Sequence, residues 1–354
     1  MAIIDKPSDY FNTKLYTGNG GTLVNTGVGF QPDLVWAKSR TQANSHVWFD
    51  VVRTFAGNKE IQSNNTGAEG ASDSAGYGYI SAVSSDGFTA KAGTTAGDYT
   101  NVSSQNYVAW NWKAGTSFTN DASSTGIGSI DSAGSFNNDS GFSIVSYTGT
   151  GTAGTIKHGL NSVPRMIIVK RRDGSDSWLV QHGSLGAGKA LNLDSTGAVQ
   201  TYDPYWNNTE PTSSVFSVGN DGRTNGSSET YIAYCFSGVQ GFSKMGSYTG
   251  NANANGPFVY TGFKPAFVMF KNTTGNNWGI IDNKRDSYNG ALHRLLPNTS
   301  GADNTGAGVV IDFLSNGFKC RNADGLENGA AEIIYMAFAE NPFVASNFNA
   351  ATAR

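Results

Sequence analysis

The chain has 354 residues and a formal net charge of -3, from 24 Lys and Arg against 27 Asp and Glu, so no basic field exists to hold a nucleic-acid backbone or an anionic membrane. Charged residues make up 14% of the chain, against a usual share of about 25%, and Gly numbers 45, which excludes the composition of an ordinary helical or α/β enzyme. Short runs rich in Val, Ile, Phe, Tyr and Trp, set between Gly, Ser, Thr and Asn, predict an all-β protein.

In chain order, residues 1–13 read as a leader with no basic stretch followed by an apolar one. The apolar runs AFVMF and IIYMAFA fall well short of the ~18 residues of a membrane span, so no membrane insertion is expected. From residue 14 one pattern is written three times. The string YTG begins at Tyr16, Tyr147 and Tyr248, and at near-constant spacing come Pro32, Pro164 and Pro265. Six residues beyond each Pro stands a Lys (Lys38, Lys170, Lys271), then a Trp (Trp48, Trp178, Trp278), then a closing Tyr-x-Ala-aromatic run: Tyr107 to Trp110, Tyr231 to Tyr234, Tyr335 to Phe338. The pattern divides the chain into repeats at 14–115, 142–240 and 241–345. Residues 116–141, poor in hydrophobes, read as a Ser/Gly/Asn-rich linker or long loop, and 346–354 as a tail.

The Pro-to-Lys and closing runs are apolar on both faces, so each needs cover on both sides. Turn clusters such as SSDG, GNDG and LSNG supply the positive φ of tight hairpins. Each repeat is therefore expected to be a β-sandwich of jelly-roll or concanavalin-like type, giving three tandem domains. Cys235 and Cys320 lie in strand-like runs and are expected as reduced core residues.

Chemical signatures are sparse. GSLGAGKA (183–190) has Ala190 where a phosphate loop needs Ser or Thr, and no helix pattern follows Lys189. Gly149, Gly151 and Gly154 spell GxGxxG, but Pro164 arrives before a dinucleotide-fold helix could form, so a turn is expected. His46, His158, His182 and His293 lack zinc spacing, and Asp221 and Asp324 are explained by their turns, although either could lend an oxygen to Ca²⁺. No catalytic residue, cofactor or metal site is assigned. The three lysines are read as long stems covering apolar surface with their heads in water, and the repeated tryptophans as core. The stretch TYDPYWNNTEP places Tyr202, Tyr205 and Trp206 among loop-forming residues. Exposed rings there could stack on sugars, which makes these three the glycan-contact candidates.

The runs GFSIVSYTGTGTAGTIKHGLNSVPRMIIVKRRDGSDSW, YIAYCFSGVQGFSKMGSYTG, GPFVYTGFKPAFVMFK and IDFLSNGFKCRN, with the opening IDKPSDYFNTKLYTGNGG, resemble a repetitive β-rich virion protein of tailed, often marine, bacteriophages. The resemblance implies a non-enzymatic structural protein of the virion, made in the bacterial cytoplasm. It would be a tail fibre or fibre-like appendage that attaches to host-surface glycan, with the leader 1–13 contacting another virion protein. By analogy with phage fibres a homotrimer is expected. The alternatives are a capsid or tail decoration protein without a receptor and, more remotely, a polysaccharide depolymerase. Nucleic acid is not an expected partner.

Overall fold

The structure, a computed structural model, describes residues 4–306, 308–345 and 350–352. The first repeat contains Phe11–Thr17 (β1), Thr22–Thr26 (β2), Leu34–Ser39 (β3), Val47–Asp50 (β4), Ile61–Gln62 (β5), the one-turn helix Ser74–Tyr77 (α1), Tyr79–Ser84 (β6), Gly87–Lys91 (β7) and Asn106–Trp112 (β8). Residues 116–141 form Thr116–Asn120 (β9), Ala122–Thr125 (α2) and Ser132–Asn137 (β10). The second repeat contains Phe142–Thr148 (β11), Gly154–Lys157 (β12), Pro164–Arg171 (β13), Leu179–His182 (β14), Lys189–Asn192 (β15), Gln200–Thr201 (β16), Val215–Val218 (β17), Gly222–Asn225 (α3) and Thr230–Ser237 (β18). The third contains Ser243–Thr249 (β19), Phe258–Tyr260 (β20), Phe263–Asn272 (β21), Trp278–Asp282 (β22), Ile311–Leu314 (β23), Gly317–Cys320 (β24) and Glu332–Pro342 (β25).

The protein is all-β, built from antiparallel sheets of which none closes. The larger sheet of each repeat has one strand order: β1-β8-β3-β4, β11-β18-β13-β14 and β19-β25-β21-β22. In each, the YTG strand pairs with the closing strand, which pairs with the Pro-to-Lys strand, which pairs with the Trp strand. A smaller sheet accompanies each: β2-β7-β6, β12-β17 and β20-β24-β23. One face of every large sheet packs under its small sheet. Val35, Ala37, Tyr107 and Ala109 meet Ile80, Phe88 and Ala90 in the first repeat, and equivalent clusters form in the other two.

The second face is covered by the other two repeats, where a sandwich would have used a sheet of its own. Strand alternation sends Tyr231, Ala233 and Cys235 into the second repeat's own core and Ile232, Tyr234 and Phe236 into a cluster common to all three repeats. The same division splits Tyr107/Ala109 from Val108/Trp110, and Tyr335/Ala337 from Ile334/Met336. Six of the seven tryptophans (Trp36, Trp48, Trp110, Trp112, Trp178 and Trp278) lie in that common core, so the centre is a core in its own right rather than a contact between finished modules.

Polar contacts close the three repeats into a ring. The backbone N–H of Glu69, Val199 and Asp303 donates to the carbonyls of Arg172, Thr273 and Arg40, each at 2.8 Å, linking first to second, second to third and third to first repeat. Ion pairs Arg172–Glu69 (2.8 Å) and Arg40–Asp303 (2.6 Å) flank two of these joints. Deeper in, the Tyr234 hydroxyl donates to Asp50 (2.6 Å), Trp110 Nε1 to Asp282 (3.1 Å), and His182 Nε2 to the Tyr335 carbonyl (3.2 Å), so the same three pairs of repeats are joined a second time. Asp50 and Asp282, fully buried, are each held by an arginine three residues on, Arg53 and Arg285, both at 2.6 Å.

Two expectations about organisation are corrected. The 116–141 segment is neither linker nor loop, because β9 and β10 extend the second repeat's sheet beyond β11, with Phe118 and Phe136 packed edge to face at 5.9 Å against its core. Only one side of this hairpin meets apolar neighbours, so two rings suffice and the sequence shows few hydrophobes. The leader is not separate either. Asn12 and Thr13 already belong to β1, Phe11 is buried in the common core, and Ile4 and Tyr10 pack against it. Residues 1–3, 346–349, 353 and 354 lie outside the described residues.

Candidate functional site

Three stretches that are separate in sequence meet on the second repeat: the Gly149–Gly154 turn before β12, the loop around the 3-10 turn Asp203–Tyr205, and the GND turn after β17. The pairing of β12 with β17 sets Gly154 opposite Val218 and so brings the first and third together. The loop is then tied down by Gly219 N–H to the Tyr205 carbonyl (3.2 Å) and Asp221 N–H to the Pro204 carbonyl (3.3 Å). Gly219 is required there, because a Cβ would lie 2.0 Å from the Pro204 oxygen. Asn225 locks the third side, its amide donating to the carbonyls of Thr152 (2.7 Å) and Gly219 (2.6 Å).

The result is a groove of about 410 Å³ lined by Thr152, Asp203, Pro204, Asn207 and Asn220 among others. Tyr202, 46% exposed, stands beside Asp203 and packs edge to face on Tyr205 at 4.7 Å. Carboxylate, amides and an exposed ring on a fixed backbone are the groups that bind polyols, through hydrogen bonds to hydroxyls and contact with a C–H face.

A family model described as "Domain of unknown function (DUF7483)" matches residues 6–342. The chain belongs to this family. The DUF7483 match runs through all three repeats and the 116–141 segment as one range, in keeping with the shared core. No curated protein matches the chain.

The three sequence candidates do not form one exposed platform. Trp206 is fully buried in the second repeat's core, and Tyr205 is buried with its hydroxyl on Gln200 (2.9 Å) and the Arg223 guanidinium 4.4 Å from its ring centre. Pro204 turns the chain inward after Asp203, so the two later rings anchor the loop and Tyr202 alone meets solvent.

The repeated lysines also depart from expectation. Their heads are buried instead of reaching water, because the turn after each strand folds its carbonyls over them. Lys38 donates to Ser39 and Gln42, Lys170 to Arg171 (2.7 Å) and to Thr66 of the first repeat (3.2 Å), and Lys271 to Asn276 and to Ser195 of the second. Burial pushes Lys38 down to about 7 and Lys170 and Lys271 down to about 8. Lys170 and Lys271 thereby fasten joints between repeats, whereas Lys38 closes the turn after its own strand.

Lys189 opens β15, and Ala190 is core, so GSLGAGKA is a turn and a strand. Cys235 and Cys320 are free and sit in different cores, where burial raises both thiols to about 12. His158 and His182 are buried and held down to about 4 by desolvation, whereas His293 pairs with Asp286 at 2.7 Å. Asp221 caps α3 and binds Arg223 at 3.0 Å, and Asp324 binds Arg294 at 3.1 Å. Among the described residues no three His, Cys, Asp or Glu side chains gather as a metal site.

A second groove, of about 730 Å³, was hidden from the sequence. It is lined by Thr119, Asp121, Asp131, Ser146, Thr148 and Arg172 among others, along β9, β10 and β11. Half of these residues come from the stretch whose composition reads as linker, so no sequence signal marked it.

Proposed function

We propose that this protein is a non-enzymatic structural protein of a phage virion, an appendage-borne module that attaches to host-surface glycan. The observation that carries the reading is the convergence of the three second-repeat turns into a polar groove with Tyr202 at its side, set on a scaffold braced by a shared core. The resemblance to repetitive phage virion proteins supplies the setting. Each repeat then serves as one jelly-roll or concanavalin-like sandwich module, with its turns turned outward. The N-terminal segment offers a docking place for another virion protein: Ile4, Asp5, Tyr10, Asn138 and Asp139 line a cleft of about 530 Å³ there.

The test is competition for adsorption. Purified protein should bind host cells and slow phage attachment, and Tyr202→Ala should weaken that binding about tenfold, the loss of one good ring contact. Protein that neither binds cells nor slows attachment defeats the reading. The closed ring of repeats favours a second reading, a decoration protein seated on a threefold position of the particle, which one chain could fill without forming a homotrimer. Antibody labelling separates them: marked tail appendages support the first, and a uniformly marked head the second. Light scattering decides between one copy and three.

A further inference from the structure

The repeats permit a comparison at equivalent positions. The first strand of each small sheet is β2, β12 or β20, and its outward side chains are Thr22, Val24 and Thr26 in the first repeat and Thr155 and Lys157 in the second. In the third they are Phe258 and Tyr260, 47% and 53% exposed, with Val259 between them buried in the core. The fold accepts small or polar side chains at this place, so it does not require the two rings. On one strand face their attachment points lie about 7 Å apart.

The surroundings are arranged for them. Register sets Gly317 opposite Tyr260 and Lys319 opposite Phe258. Gly317 is demanded by the backbone, since a Cβ there would lie 2.1 Å from the Val259 carbonyl oxygen, and its missing side chain also leaves room beside the Phe258 ring, 3.0 Å from that Cβ position. Lys319 donates to the Gly256 carbonyl (2.8 Å), and Lys244 donates to the Tyr260 carbonyl (2.8 Å) with its ammonium 5.4 Å from the Tyr260 ring centre. Asp312, opposite Lys319, is taken up by Arg321 at 2.8 Å. The face thus presents two rings with Lys244 and Lys319 beside them, and the carboxylate in register, Asp312, is already neutralised by Arg321.

We infer that this face of the third repeat is a second glycan-binding site, selective for acidic polysaccharide: the rings take the C–H faces of successive sugars, and Lys244 and Lys319 take their carboxylates. The inference rests on the attachment reading for its biological setting, but not for its chemistry. The probes are oligosaccharides of alginate, polygalacturonate and hyaluronan, with dextran as the neutral control, titrated into the full chain by calorimetry. At least one acidic probe should bind at least about tenfold more tightly than dextran and weaken as salt is raised from about 0.05 M to about 0.5 M. The double variant Phe258→Ala/Tyr260→Ala should lose about tenfold or more, and Lys244→Gln/Lys319→Gln should abolish the preference over dextran. Unchanged melting temperatures establish that the variants are folded. Failure of all three acidic probes, equal binding of dextran, or undiminished binding by the ring variant overturns the inference. A parallel adsorption assay keeps the two proposals apart. If wild-type protein slows phage attachment while the ring variant binds the probes normally, attachment stands and this site falls. If the protein ignores cells yet binds acidic probes through these rings, the site stands and the attachment reading falls.

Discussion

At the scale of single residues, the buried ionisable groups determine how stability responds to pH. Unfolded lysines keep their protons to about pH 10.4, whereas Lys38 loses its proton in the fold at about 7 and Lys170 and Lys271 at about 8. Between those limits the unfolded chain binds more protons, so the lysines make stability rise with pH. Urea midpoints should be higher at about pH 9 than at about pH 7, and Lys170→Met/Lys271→Met should shrink the difference. A profile unchanged by that variant would contradict the burial. On the acid side, His182 accepts from the Ser184 N–H and donates to the Tyr335 carbonyl, an arrangement only the neutral ring can make, in agreement with a value pushed down to about 4. Its contribution is complete above pH ~6.5 and is lost as pH falls toward 4, up to about 3 kcal/mol, and His182→Gln should remove that part of the acid slope. Asp50 serves both Arg53 and Tyr234 in the dry interior. Asp50→Ala, which strands the guanidinium, should cost about 3–5 kcal/mol, and Tyr234→Phe about 1–2 kcal/mol, both read from denaturant midpoints. Trp206→Ala belongs with these stability changes, because its ring is core and not contact surface.

At the scale of elements, the β9–β10 hairpin occupies the sheet edge that β1 and β19 leave open in the other repeats. It is held to the second repeat's core by Phe118 and Phe136 and by the ladder to β11. Phe136→Ala should cost about 2 kcal/mol and loosen the hairpin ahead of the rest. Hydrogen exchange should show faster exchange in residues 116–137 with β13 and β18 still protected; uniform loss of protection would mean that the hairpin folds as one with the centre. The groove lined by Asp121, Asp131 and Arg172 depends on this hairpin, and ligand entry there would slow the same amides.

For the whole molecule, the common core means that no repeat is complete alone. Excising residues 142–240 exposes Phe142, Ile144, Ile168, Trp178, Ile232 and Phe236 together, an apolar face far larger than a soluble monomer tolerates. The fragment should aggregate or give the poorly dispersed proton spectrum of an unpacked chain, while the intact protein unfolds in one transition by fluorescence and far-UV dichroism alike. A well-dispersed monomeric fragment would refute the shared core.

The sequence by itself determined the all-β class, the threefold repetition, the burial of the repeated tryptophans Trp48, Trp178 and Trp278 and the two-sided burial of the Pro-to-Lys and closing strands, because these follow from composition and from side chains alternating along a strand. What covered the second face was left to tertiary structure, since a pattern of period two states that a face is buried but not against what. The same limit explains the heads of Lys38, Lys170 and Lys271, whose partners are carbonyls and carry no sequence signature. It also explains 116–141, where a strand paired on a sheet's margin needs few apolar residues, and Tyr205 and Trp206, turned inward by one proline. Loop composition singled out a stretch that borders a surface groove, but only the β12–β17 pairing decided which turns would meet there and which ring would face the solvent.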